Sequence, residues 1–448
     1  MSAKTLYRWL ALLLVLSVAL PVPVSAQDGV DPRAIAQAVL DNLLAGNYEA
    51  AAADFDAQMI QAVPVTALQQ AWTQVTQLGG SFQKVDQVQT VPQGEFVSVV
   101  YTLLFERAAI EMIVTVDRNG QVAGLFLRPI ASEAGKSWES PPYADPTAFV
   151  EREIIVNEGS AWELPGVLTL PQGDGPFPAV VLVHGSGPND RDETVGPNKP
   201  FADLAHGLAS RGIAVLRYDK RTRVYAQAFA GDKAFTVQDE AVDDALAAVA
   251  LLRQTESVDP ARVFVLGHSM GGYLAPRIGA ADARIAGLII LAGSTRSLLD
   301  SVRMQTEYLA RLDGELSEAE EASLAEVEEL LLATENVQPG DDPAKLLFNA
   351  PASYWLDLKE YDPAALATEL TMPMLILQGG RDWQVTLDDF AGWEAALGQR
   401  DDVTLRVYPD LNHLFISGEG PGTPEEYEQP GHVAEVVIED IAQWILDH

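Results

Sequence analysis

Gly267-His268-Ser269-Met270-Gly271 sets a serine between two glycines, each two residues away. A hydroxyl becomes a useful nucleophile when a sharp strand-to-helix turn exposes it beside a base. Glycine at the flanking positions lets neighbouring backbone come close enough for such a turn. In a chain with 34 glycines the pattern alone is weak. Its setting strengthens it, because a β-compatible run at 262–266 precedes it and a helix-compatible stretch begins at Gly272. The chemistry open to such a serine is acyl transfer, with the positive end of the following helix turned to the site.

That serine needs a base, and six histidines are available. His184 lies in the turn His184-Gly185-Ser186-Gly187, His268 flanks the serine, His206 falls in a helix-like stretch (201–212) and His448 closes the sequence. His413 and His432 remain. His413 follows the strand-like run 403–408, and a base on a post-strand loop can lean over the nucleophile; His432 precedes a final helix-like stretch (433–446) and is the alternative. The base in turn needs an acid to fix its tautomer. Asp382, in Gly379-Gly380-Arg381-Asp382 after the run 374–378, is the leading candidate, with Asp388 and Asp389 behind it. The glycine-rich turn after His184 can direct a backbone N–H at a developing oxyanion, together with the N–H of Met270. This chemistry calls for no cofactor and no metal.

The elements that must hold these residues alternate. Strand-like runs at 179–184, 213–218, 262–266, 285–292, 374–378 and 403–408 are separated by helix-like stretches such as 237–253. Near-continuous apolar runs mark strands covered on both faces, which predicts a mostly parallel sheet in an α/β domain spanning 151–448. The runs 152–156 and 167–170 predict an antiparallel entry hairpin. About 80 residues separate the 285–292 and 374–378 runs, far more than one crossover needs, so a helical lid is expected at about 298–369. Within it Leu324, Val327, Leu330 and Leu331 form a stripe among glutamates, and such a lid would put negative potential at the entrance and disfavour anionic substrates.

Ahead of this domain, 32–80 reads as helical through Ile35, Ala38, Val39, Leu43 and Leu44, and then through Ala52, Phe55 and Met59. Runs at 96–104 and 109–116 read as strands, with Asn119-Gly120 turning into 121–128. A small α+β accessory domain (31–130) and a linker (131–150) follow from this. Residues 1–26 read as a secretory signal: Lys4 and Arg8 precede an apolar run ending in Val24-Ser25-Ala26, and the run is too short for the ~20 residues that span a bilayer. The expectation is export, to the medium or the periplasm and cell envelope, with no stable membrane insertion after cleavage. The chain has no cysteine, which excludes a disulfide framework. Its net charge of −35 excludes nucleic acid as a partner and points to a small-molecule substrate.

The segments HGSGPNDRDETVGPNKPFADLAHGLASRGIAVLRYDKRT (184–222), GHSMGG and GGRDWQV resemble the α/β-hydrolase superfamily over about 155–448. The chain looks most like secreted bacterial esterases with an N-terminal accessory domain, and more distantly like serine aminopeptidases and dienelactone hydrolases. The resemblance implies Ser269, Asp382 and His413 as a triad, in the chain order of that fold, and Ser186 and Met270 as oxyanion donors. It also implies a serine carboxylesterase acting on neutral short-to-medium acyl esters through an acyl-enzyme, with an aminopeptidase or amidase as the alternative. The N-terminal part is similar to nuclear-transport-factor-2-like domains, a likeness that implies no role.

Overall fold

The computed structural model describes residues 31–93, 96–106, 108–130, 138–229 and 232–448, in two compact units. The leader expected at 1–26 lies outside the described residues.

In the smaller unit, the Asp31 carboxylate caps the helix Pro32–Ala45 by accepting from the N–H groups of Arg33 and Ala34, and Gly46 at φ 74° ends it. The helix buries Ala36, Val39, Leu40 and Leu43, while Ala38 and Leu44 are exposed. Its inward face is thus rotated from the expected stripe. Four antiparallel strands follow in sequential order: β1 (Phe82–Gln93), β2 (Phe96–Phe105), β3 (Ala109–Asp117) and β4 (Val122–Ile130). Alternate side chains of β2 and β3, such as Tyr101, Leu103, Met112 and Val114, join the helix in one core. The Asn119-Gly120 turn is present, with Gly120 at φ 80° and the Asp117 carboxylate accepting from Asn119 and Gln121 N–H. Strand β1 has no counterpart in the sequence reading. Irregular register at Phe82/Lys84 and Val85/Gln87 breaks the two-residue alternation, so Phe82, Val85 and Val88 come inward at a spacing of three.

The larger unit is built on an eight-stranded sheet. Its strands are β5 (Phe149–Val156), β6 (Leu164–Pro171), β7 (Phe177–Val183), β8 (Ala214–Tyr218), β9 (Val258–His268), β10 (Leu288–Leu291), β11 (Met374–Gly379) and β12 (Val403–Tyr408). They lie in the order β12-β11-β10-β9-β7-β8-β6-β5. β7 through β12 run parallel, and β5 and β6 form the antiparallel hairpin at one edge. Successive side chains serve opposite faces: Val181 and Ile290 join the helices Asp243–Gln254 and Met270–Ala281, whereas Val180 and Ile289 join Pro200–Ala209 and Glu435–Asp447. Both faces being covered is why the strands read as unbroken apolar runs.

Residues 138–148, expected as linker, are fastened to this unit. Trp138 Nε1 donates to Asp203 at 2.9 Å, and Tyr143 donates its hydroxyl to the Val433 carbonyl at 2.7 Å. Between β10 and β11 lie the helices Leu298–Ala310, Glu318–Glu335, Ala352–Leu358 and Pro363–Glu369. In Glu318–Glu335 the buried apolar positions are Val327 and Leu331; Glu320, Ser323 and Thr334 are buried with them, and Leu324 and Leu330 are only half-buried. Val327 and Leu331 share a cluster with Met270, Tyr273, Tyr354 and Trp355, so this insertion packs where the helix Met270–Ala281 begins.

Candidate active site

Parallel strands bring their C-terminal ends to one edge of the sheet, and Ser269, Asp382, His413 and the turn that carries Ser186 emerge there. β9 ends at His268, and Ser269 begins the turn into the helix Met270–Ala281 with φ 53° and ψ −117°. A non-glycine residue in that region is strained by about 1–3 kcal/mol. The strain is held from both sides, because Ser269 N donates to the Leu291 carbonyl at 2.9 Å and its own carbonyl accepts from Tyr273 N at 2.9 Å. The flanking glycines are required by contact: a β-carbon on Gly267 would stand 2.1 Å from the Gly271 oxygen, and one on Gly271 would stand 2.1 Å from the Val183 oxygen. Ser269 is part-exposed between buried His268 and Met270.

Asp382 and His413 are brought together by strand pairing. β11 and β12 pair from Met374↔Val403 to Gly379↔Tyr408, and the loops beyond stay joined by Gly380 N to the Tyr408 carbonyl and Arg381 N to the Leu411 carbonyl. At their tips His413 Nδ1 lies 2.7 Å from Asp382 Oδ2, both side chains being buried. Asp382 is fixed in turn, since its Oδ1 accepts from the N–H groups of Gln384 and Val385 and its Oδ2 from Gln378 Nε2. With Nδ1 occupied by the carboxylate, Nε2 is the nitrogen of His413 left for proton transfer.

The alternatives are placed elsewhere. His432 Nδ1 is 2.9 Å from Asp203, in the loop that precedes the helix Glu435–Asp447. Asp388 has an exposed side chain, and Asp389 is buried against Ser294, Arg296 and Thr386 N.

β7 lies beside β9, with Val183 opposite Gly267, so the turn His184–Gly187 borders the Ser269 turn. Met270 N is the first N–H of its helix and has no carbonyl four residues back within the helix to bond. Ser186 Oγ reaches Met270 Sδ at 3.5 Å, which brings the two expected donor residues into contact. The turn is braced by groups that spacing alone did not single out. Gly185 N donates to Glu193 Oε1 at 2.5 Å, while Gly185 O accepts from Lys220 Nζ at 2.8 Å and Asn189 Nδ2 at 3.1 Å. Lys220 pairs with Glu240, which accepts the Tyr354 hydroxyl. Glu193 also holds His268, whose second nitrogen lies 2.9 Å from the His413 carbonyl oxygen. One sequence signal marks Lys220: a lysine two residues past a strand's C-terminal end, where an α/β sheet opens its crevice.

Electrostatics follow burial and pairing. Burial pushes the His184 imidazole down to about 4, leaving it neutral between Phe201 and Tyr218. Burial opposes charge on His268 and Glu193 as well. Their mutual attraction overcomes it, raising the histidine and lowering the carboxylate.

Comparison with known proteins matches residues 180–427 to the family model described as the alpha/beta hydrolase family, and residues 36–125 to a family described as a protein of unknown function. The chain is 42% identical over 409 residues to a protein named Esterase EstD from Thermotoga maritima, covering 91% of this chain and 93% of that one. Among solved structures, Est1E from Butyrivibrio proteoclasticus is 17% identical over 66% of this chain and 98% of its own, with a TM-score of 0.42. A puromycin-hydrolyzing peptidase from Mycobacterium tuberculosis is 18% identical over 83% of this chain and 48% of its own, also with a TM-score of 0.42.

Proposed function

The chain belongs to the alpha/beta hydrolase family, and from that premise we propose that it is a serine carboxylesterase hydrolysing neutral short-to-medium acyl esters through an acyl-enzyme intermediate. The observation that carries this reading is the buried His413–Asp382 pair at 2.7 Å, at the sheet edge where Ser269 sits on a strained turn. Identity of 42% to a protein named an esterase, across 91% of the chain, supports the ester as substrate.

In the proposed mechanism His413 Nε2 takes the Ser269 proton as Oγ adds to the ester carbonyl carbon. The N–H groups of Ser186 and Met270 hold the oxyanion. Asp382 stabilises the imidazolium, which returns the proton to the departing alcohol as the carbon–oxygen bond breaks. A water molecule, deprotonated by His413, then attacks the acyl carbon and releases the acid, and Ser269 regains its proton. The preference for neutral acyl groups rests on the apolar company of Met270, including Phe235, Tyr273 and Trp355, where a substrate charge would be desolvated. The leader at 1–26 adds export to the reading, and the N-terminus of the exported protein should then begin near Gln27.

The test is a panel of nitrophenyl esters of increasing acyl length beside aminoacyl amides, run on wild type and Ser269→Ala. We expect ester turnover, its loss in Ser269→Ala, and labelling of Ser269 by a fluorophosphonate. Aminoacyl amides cleaved faster than the esters would make the protein an aminopeptidase or amidase instead.

A further inference from the structure

An oxyanion donor on a loop works only if its peptide plane is held at one angle. In a trans peptide the C=O of one residue and the N–H of the next point in opposite directions. Whatever grips the Gly185 carbonyl therefore aims the Ser186 N–H the opposite way. Lys220 Nζ grips that carbonyl at 2.8 Å, assisted by Asn189 Nδ2 at 3.1 Å.

Lys220 is itself held. Its side chain is 2% exposed and lies 2.6 Å from Glu240 Oε1. The other Glu240 oxygen accepts the Tyr354 hydroxyl at 2.8 Å. Tyr354 belongs to the insertion, on the helix Ala352–Leu358, and its hydroxyl lies 3.9 Å from Met270 Sδ. A buried ion pair is a poor device for stability alone, because desolvation offsets the attraction. An ammonium hydrogen-bonded to a carbonyl has a further effect: it draws electron density through the amide and strengthens the N–H on the far side as a donor.

We propose that Lys220, held by Glu240 and Tyr354, is the positioning residue of the oxyanion site, setting and polarising the Gly185–Ser186 peptide so that the Ser186 N–H meets the charge formed in the transition state. The proposal rests on the serine-esterase reading and extends it to the insertion, whose Tyr354 hydroxyl completes the set.

Lys220→Met alone would strand the Glu240 carboxylate, so the informative protein is the Lys220→Met/Glu240→Gln double variant, which removes both charges and keeps an oxygen for Tyr354. Removing an oxyanion donor costs on the order of 10²–10³ in kcat. Misaiming one should cost about 10- to 100-fold in kcat, with KM for a short neutral ester within about twofold. The affinity of an alkylboronic acid, whose tetrahedral adduct on Ser269 places an oxygen where the oxyanion forms, should fall by the same factor as kcat. Tyr354→Phe changes one hydroxyl and carries the test if the double variant does not fold; kcat and boronate affinity should fall together, about three- to tenfold.

A folded double variant with kcat within threefold of wild type overturns the role given to Lys220. So does a drop in kcat with boronate affinity unchanged, or a Tyr354→Phe protein unaltered in both. Ser269→Ala assayed alongside separates the layers: turnover surviving there overturns the esterase reading and this proposal with it, whereas an inactive Ser269→Ala beside an unimpaired double variant overturns this proposal only.

Discussion

Glu193 holds His268 in a state that its surroundings dictate. One nitrogen of the ring lies 2.9 Å from the Glu193 carboxylate and the other 2.9 Å from the His413 carbonyl oxygen, and both of those oxygens are acceptors. With the Glu193 carboxyl lowered and ionised, the ring satisfies both by donating from both nitrogens, as an imidazolium. His268, the residue before Ser269, thus ties the glycine-rich turn, through Glu193, to the loop that carries His413.

A pH dependence of stability follows. The folded His268 pKa is raised above 6.5, so its contribution is complete below 6.5 and is lost as pH rises through the raised value. The folded Glu193 pKa is lowered beneath 4.5, so its contribution is complete above 4.5 and is lost as pH falls through the lowered value. The pair contributes fully between the two, and stability should decline on the alkaline side. Thermal unfolding of wild type and His268→Gln from pH 4 to 10 should show the alkaline decline only in wild type; parallel curves would refute the imidazolium.

Exchanging the histidines separates base from bystander. His413→Ala should lose as much activity as Ser269→Ala, because residues acting as a unit do not add. His432→Ala removes one hydrogen bond to Asp203, which keeps those from Trp138 and Val433 N, and should cost about 1 kcal/mol of stability and no activity. The reverse pattern in kcat would transfer the role to His432.

The aspartates divide in the same way. Asp382→Asn should lower kcat by about 10⁴ with little change in KM, through the wrong imidazole tautomer. Asp389→Asn should instead weaken the fold, since that carboxylate accepts from Ser294, Arg296 and Thr386 N, and should leave kcat per folded molecule intact. Active-site titration beside thermal melts distinguishes the two outcomes.

The turn at Ser269 tolerates no added methyl group on its flanking glycines. In Gly271→Ala the new carbon would meet the Val183 oxygen at 2.1 Å, so strand and helix must separate. The expected cost is about 1–3 kcal/mol, with a fall in kcat because Met270 N moves with the helix. A variant of wild-type stability and activity would show that the turn is looser than its contacts.

Charge on the insertion should matter less than its composition implies. Val327 and Leu331 face the Met270 cluster, while Glu318, Glu321, Glu326 and Glu329 are exposed; Glu328 and Glu335 are paired with Arg303 at 3.0 and 2.6 Å. Exposed charges are screened beyond about 8 Å at physiological salt. Discrimination against a carboxylate-bearing ester should then come from desolvation. It should survive both added salt and conversion of the four exposed glutamates to glutamine, and loss of discrimination under either treatment would restore the field of the helix as its cause.

The placement of Ser269, Asp382 and His413 at strand ends was legible in the sequence: each follows an apolar run by a few residues, and turns at those places carry glycine or asparagine. Glu193, Lys220 and Glu240 were not legible as a set. Their partners lie 75, 35 and 114 residues away, at His268, Gly185 and Tyr354, and spacing does not encode such encounters. Strand β1 was hidden by its irregular register. The helix faces were misjudged by about one position, because Ser323 and Thr334 are buried by packing that hydropathy does not register.

The pairing of β10 with β11 has a consequence for how such proteins diversify. Leu288 through Leu291 bond in register to Met374 through Leu377, whatever chain runs between them. To the sheet the whole insertion is one loop, and doubling a loop's length costs only about 0.6 kcal/mol. Segments of different size and sequence could therefore be grafted there without disturbing the strands. The restriction on such exchange is local: Glu240 accepts a hydroxyl from the insertion, so a graft inherits the obligation to supply a donor where Tyr354 now stands.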